Sequence, residues 1–174
     1  IAPALLANLA AGIFILPFFL FSASAGQLAD KYDKSRLTRL VKVLEIGIMV
    51  VALAGFLLHS LAVLFGALFL LGCHSTLFGP VKYALLPQHL REDELVGGNA
   101  LVEAGTFVAI LLGTLCGGLL AGAPHGDLWI AGGGILVAFA GYLTSRGVPP
   151  APAPAPELHI NPNPFTETWR NIGF

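Results

Sequence analysis

Gly26-Gln27-Leu28-Ala29-Asp30-Lys31-Tyr32-Asp33-Lys34-Ser35-Arg36-Leu37-Thr38-Arg39 is a short polar, basic stretch between two long apolar ones. The chain from Ile1 to Ala25 and from Leu40 to Leu58 is almost free of charge. A loop of this size is too short to be a domain. Flanked by two segments of membrane-spanning length, it reads as the connection between two spanning helices, since a helix needs roughly 20 apolar residues to cross a bilayer.

Composition agrees with that reading. The 174 residues are 56% hydrophobic and 11% charged, with a mean hydropathy of +0.80. Soluble domains carry roughly 25% charged residues. The net charge of −1 hides an asymmetry, because the charges sit in a few clusters; nothing in them suggests nucleic acid. Cys73 and Cys116 lie within apolar runs and read as small hydrophobes. They form neither a disulfide framework nor a metal spacing. No phosphate loop, zinc spacing or nucleophile elbow is present, so neither a soluble enzyme nor a cofactor is expected.

Five spanning segments follow from the apolar runs: about Pro3 to Ser24, Leu40 to Leu58, Leu61 to Leu85, Gly98 to Gly122 and Leu128 to Ser145. Asn8 and Pro17 interrupt the first, which a packed bundle tolerates. Gly79 and Pro80 predict a kink near the end of the third. Trp129 stands where an interfacial aromatic belongs. Gly113, Gly117, Gly118 and Gly122 form small-xxx-small patterns that predict close helix packing, and Gly132, Gly133 and Gly134 repeat the theme. The abrupt apolar start at Ile1, with no charged leader, suggests a fragment from which an earlier helix has been cut.

Basic residues orient the chain. Lys31, Lys34, Arg36, Arg39 and Lys42 cluster after segment one, Lys82 and Arg91 flank the loop after segment three, and Arg146 follows segment five. The loops after segments two and four have neither Lys nor Arg. The basic side is therefore expected to be cytoplasmic. Residues 1–146 form the helical bundle. Residues 147–174 form a linker, whose run from Val148 to Pro156 favours an extended spacer and whose end, with Phe165, Trp169 and Phe174, is a candidate surface helix.

An ionisable side chain within a bilayer is costly and so a functional candidate. Lys82 and Glu103 qualify, as an ion pair or as contacts for a polar substrate head. Glu45 reads instead as paired near a helix end, with Lys42 one turn earlier. His74 reads as a hydrogen-bonded structural histidine, and the run from Arg91 to Glu94 as a solvated loop.

The opening stretch resembles the signature that joins the second and third helices of major facilitator superfamily transporters. Gly26, Leu28, Ala29, Asp30, Lys31 and Lys34 match it. The chain departs at Asp33, where the pattern has the glycine that suits a tight turn, and at Ser35, where it has a basic residue. The resemblance implies that Asp30, with Gly26, Lys31 and Lys34, holds a cytoplasmic gate by charge and helix-dipole contacts. Two further stretches are similar to bacterial lysophospholipid transporters. One is Phe78-Gly79-Pro80-Val81-Lys82-Tyr83. The other runs from Leu95 through Asn99, Leu101, Glu103 and Ala104 to Gly113. This resemblance covers roughly residues 26–122.

It implies an all-α membrane protein whose five transmembrane helices correspond to helices two to six of a major facilitator N-terminal half. The second half would be absent. It also implies a lysophospholipid substrate, such as lysophosphatidylethanolamine, flipped across a bacterial inner membrane for reacylation. Such transporters occur alone or fused to an acyltransferase and acyl-carrier-protein synthetase. Lys82, Tyr83, Asn99 and Glu103 become the substrate-binding candidates, with membrane lipids as surroundings. Two alternatives stand beside this reading: an exporter of drugs or metabolites, and a non-transporting anchor for a fused acyltransferase. The first is disfavoured because no proline follows the glycines of segment four.

Overall fold

A computed structural model describes residues 2–161 and 163. Five long helices account for nearly all of it: α1 (Pro3–Lys31), α2 (Lys34–Leu57), α3 (Leu61–His89), α4 (Leu95–Ala121) and α5 (Gly126–Ser145). One 3-10 turn, Glu92–Glu94, precedes α4. All five are long and apolar enough to cross a membrane. The chain is thus an all-α membrane protein with short connections. The candidate surface helix near the C-terminus lies outside the described residues.

The helices overrun the apolar spans on the basic side. α1 continues to Lys31 past Ser24, α2 begins at Lys34 ahead of Leu40, and α3 continues to His89 past Leu85. Lipid thickness sets the length of an apolar run, but a helix ends only where its backbone bonds are capped. What reads as a loop from Gly26 to Arg39 is therefore two helix ends around Tyr32 and Asp33. Asp33 caps α2, its Oδ1 accepting from the Arg36 amide at 2.9 Å. Its φ of −59° lies in ordinary space, so the break does not call for the glycine of the family pattern.

Short turns close the other side. Ser60 caps α3, and His59 and His125 take left-handed backbone, with φ of 47° and 56°. These are sparsely populated angles for a residue with a Cβ.

α3 is the hub. It packs along α1 and α2, while α5 packs along α2; α4 touches α3 and α5 only lightly. Close approach depends on small residues. A Cβ at Gly72 would collide with the Phe14 carbonyl oxygen and sit 2.9 Å from Pro17 Cγ, at the α1–α3 crossing. Pro17, fully buried there, has no N–H to leave unpaired and packs its ring against Gly72. A Cβ at Gly134 would meet Met49 Sδ at 2.9 Å, joining α5 to α2.

The glycines expected to pack on α4 do not. Gly105, Gly113, Gly117 and Gly118 have nothing within 4 Å, and no α4 residue is buried. The small-residue seam is formed, but no described helix lies against it. Gly132 and Gly133 are open as well.

Large apolar side chains face outward throughout, among them Phe19 at 79% and Leu119 at 78% exposure. In water such a surface would aggregate; in a bilayer it is the solvated surface. Hydroxyls inside the helices bond back to their own backbone, as Thr76 does to the Gly72 carbonyl at 2.8 Å. That leaves few free donors in the apolar layer.

Candidate functional site

Two polar regions stand out of the apolar bundle. The first is the break between α1 and α2. Asp30 ends up exposed, and its carboxylate makes no hydrogen bond or ion pair among the described residues. Lys34, by contrast, is buried at 2% exposure, and its Nζ has no hydrogen-bond partner among the described residues. One turn on from it along α2, Leu37 joins Ala29 and Val81 in a compact apolar cluster. A buried ammonium without a partner is costly. Lys31 stays half-buried, and Gly26 lies inside α1 with open space where a Cβ would go. The four gate candidates thus share one end of the bundle, with no side-chain hydrogen bond or ion pair joining them among the described residues.

Asp33, which the sequence marks only as a departure from the pattern, is the residue that organises this break. Burial raises its carboxyl, but the Ser35 hydroxyl, donating at 2.7 Å, and the amides of Arg36, Ser35 and Ala151 outweigh it. The net effect holds the group below its ordinary value of 3.8.

The second region lies within the apolar layer, on one face of α3. His74, Phe78 and Lys82 recur at four-residue spacing and so stack on that face. Lys42 of α2 lies 4.8 Å above the Phe78 ring and pairs with Glu45 at 2.8 Å, as expected from their spacing. Glu45 Oε2 also comes within 3.7 Å of His74 Nε2, which makes no hydrogen bond among the described residues. His74 is therefore not the fully hydrogen-bonded residue expected: the carboxylate it faces is already held by Lys42.

Lys82 and Glu103 do not meet directly. Lys82 Nζ donates to Thr106 Oγ1 of α4 at 3.3 Å and lies 4.6 Å from the centroid of the neighbouring Tyr83 ring. The Tyr83 hydroxyl in turn donates to Glu103 Oε1. Tyr83 stands between cation and carboxylate, touching both. Asn99 takes no part: its amide donates to the Leu95 carbonyl of its own helix at 3.0 Å.

Lys42 and Lys82 open together onto a crevice of about 290 Å³ between α2, α3 and α5, with Thr38, Phe78, Thr144 and Ser145 in its walls. The hydroxyls of Thr38, Thr144 and Ser145 donate to backbone carbonyls. The two ammonium groups, though already bonded to Glu45 and Thr106, each keep further N–H groups that can meet an anion there. Gly141 leaves room for the Lys42 stem, since a Cβ would sit 3.4 Å from Lys42 Cδ. Farther along the α2–α3 seam, Val43, Ile48, Val51, Leu70, Cys73 and His74 line an apolar groove of about 580 Å³.

Sequence reasoning missed the join between the Lys42–Glu45 pair and the α3 face. The signal was present in the four-residue spacing of His74, Phe78 and Lys82. The run after α3 is local and exposed: Arg91 holds Asp93 through two bonds of 3.0 and 2.6 Å.

An ion-bearing face within a bundle of spanning helices suits a membrane transporter. Comparison with known proteins agrees. A family model described as Major Facilitator Superfamily matches residues 2–173. The chain belongs to the major facilitator superfamily. It is similar to proteins named lysophospholipid transporter LplT from Salmonella newport (strain SL254), Salmonella heidelberg (strain SL476) and Salmonella agona (strain SL483). Each is 35% identical over 109 residues, covering 63% of this chain and 26% of the relative. The match therefore spans about a quarter of the length of those relatives. No solved structure matches. The chain is a multi-pass membrane protein of a transporter family, and the superfamily resemblance carried by Gly26 to Lys34 holds.

Proposed function

We propose that this chain is part of the membrane-embedded portion of a lysophospholipid transporter, moving its cargo across a bacterial inner membrane for reacylation. The observation that carries the reading is the Lys82–Tyr83–Glu103 arrangement inside the apolar layer, in a chain similar to named lysophospholipid transporters.

The cargo's chemistry fits. A lysophospholipid head joins a phosphate to a polar or cationic group, and its single acyl chain is apolar. Lys82, with Lys42 across the crevice, supplies donors for the phosphate. Glu103, held by the Tyr83 hydroxyl, supplies an acceptor for an ammonium. The acyl chain runs along apolar helix faces. Asn99, the fourth substrate candidate, lies on the exposed face of α4 with its amide held by the Leu95 carbonyl.

In this family, two halves rock about a central site. Asp30, exposed beside the α1 terminus, is the gate residue that meets the opposite half at the cytoplasmic side. The open glycine seam of α4 supports the view that a further helix packs there in the whole transporter.

The test is uptake of labelled lysophosphatidylethanolamine by spheroplasts carrying the full-length protein. Asp30→Ala at normal expression is expected to abolish uptake. Wild-type uptake by that variant would sink the gate assignment, and no uptake by the unaltered protein would sink the substrate.

A further inference from the structure

The proline-alanine run after α5 makes contacts that neither the family nor the site explains. From Val148 to Asn161 the chain takes neither helix nor strand, yet it runs across the ends of three helices. The Arg39 guanidinium donates to the Val148 carbonyl at 3.2 Å, and the Lys34 amide to the Ala151 carbonyl at 2.9 Å. The Gln88 amide group donates to the Pro152 carbonyl at 3.1 Å. In return the Ala155 amide donates to the Asp30 carbonyl at 3.0 Å, and the Asn161 amide to Gln27 Oε1 at 2.7 Å. Ala151 is completely buried.

Two of these bonds fall where the helices need them. A helix leaves its first N–H groups and its last carbonyls without partners. The Lys34 amide is the first of α2, and the Asp30 carbonyl belongs to the last turn of α1. Asp33 reaches Arg36 but leaves the Lys34 amide to Ala151. The run thus finishes both sides of the break that carries Asp30. Its composition suits this task. Proline lowers the entropy lost on ordering an extended chain, and alanine lets backbone approach backbone, which a larger side chain at position 151 would prevent.

We propose that residues 148–161 act as a built-in ligand for the Gln27–Arg39 stretch, docking there to hold the helix break and so to position Asp30. Ala151 and Ala155 are its positioning residues. The surface they occupy is a recognition site for an extended, proline-rich strand, with donors from Arg39, Lys34 and Gln88 reading the carbonyls of Val148, Ala151 and Pro152. This is the logic of proline-rich peptide recognition, applied within one chain. The consequence for transport rests on the function proposed above; the docking itself does not.

The experiment uses the full-length protein in nanodiscs and reads amide hydrogen exchange at residues 33–36. Ala151→Trp, and separately replacement of residues 149–156 by Gly and Ser, are expected to speed that exchange roughly tenfold, about the effect of one lost hydrogen bond. Ala151→Gly, which keeps the fit, is expected to leave it slow. A synthetic peptide of residues 147–161 added to the Gly/Ser variant is expected to restore slow exchange, and a scrambled peptide to leave it fast. That rescue separates lost docking from misfolding. Uptake is expected to fall severalfold in its maximal rate with half-saturation unchanged, because the altered residues 149–156 do not line the Lys42–Lys82 crevice. Unchanged exchange in both strap variants would overturn the docking. Fast exchange with wild-type uptake would overturn its hold on Asp30. An unaltered protein that moves no lysophospholipid, yet shows the exchange and rescue pattern, would fault the substrate and leave the docking standing.

Discussion

The basic ends of α1, α2 and α3 and the whole of α4 are opposites within one bundle. At the basic ends, Ala29, Lys34, Leu37 and Val81 are buried, and five hydrogen bonds tie residues 148–161 across the helices. α4 is equally helical and more apolar than α2, yet it buries no residue. The difference shows that in a bilayer apolar character alone does not fasten one helix to another. Lipid covers an apolar face as well as a neighbouring helix does, so small residues at a crossing and specific polar contacts decide what packs.

Glycine substitutions probe that contrast most strongly. Gly72→Leu is expected to cost on the order of 3 kcal/mol or more, because the new side chain meets backbone at the α1–α3 crossing and cannot swing away. Thermal unfolding monitored by size-exclusion chromatography should show it as a large drop in melting temperature or loss of the monodisperse peak. Gly113→Leu on α4 meets nothing in the described chain, so within this bundle it is expected to stay within about 0.5 kcal/mol of wild type. A large loss in the full-length protein would instead mean that another helix covers the seam.

The polar face comes next. Lys82→Ala is expected to reduce lysophospholipid uptake by roughly ten- to a hundredfold, the range for a lost bond to a charged group. Asn99→Ala, bonded only to its own helix, is expected to leave uptake within about twofold. Equal effects of the two variants would erase the distinction drawn between them.

Asp33 gives a smaller effect than Gly72 or Lys82. Asp33→Ala removes the α2 cap and is expected to cost about 1 kcal/mol. The carboxyl's folded value lies below its ordinary 3.8. Its stabilisation is therefore present above that value and is lost as the pH falls through the folded one. Asp33→Asn keeps a capping oxygen, so its acid unfolding curve should lack that component and run flatter than wild type below about pH 4.

Much of the architecture was legible because lipid imposes a length on each apolar run. Pro3, Leu61 and Ser145 were placed as helix boundaries from hydropathy alone. Helix ends past the lipid were not, since Lys31 and Lys34 are polar residues whose helicity depends on capping by Asp33 and by a segment more than a hundred positions later. The Lys42–Glu45 pair followed from its spacing along one helix. Its meeting with His74 did not, because nothing local tells which face of α2 turns toward α3. Tyr83 was legible as a candidate only by resemblance; its place between Lys82 and Glu103 required the α3–α4 approach. The glycines of α4 were read as packing residues, but a small-residue pattern records a capacity for contact and does not name the partner.

The alternation of proline through positions 149, 150, 152, 154 and 156 has a consequence for the protein's dealings with other chains. An extended segment at a protein surface ordinarily offers a row of amides and carbonyls to any passing strand, and can seed a sheet between molecules. Five prolines delete the amides at those positions, and the Ala155 amide is already engaged by Asp30. The segment can accept bonds from its own helices but offers no continuous ladder to a neighbour. It lies extended at the surface without becoming a site of intermolecular β-pairing.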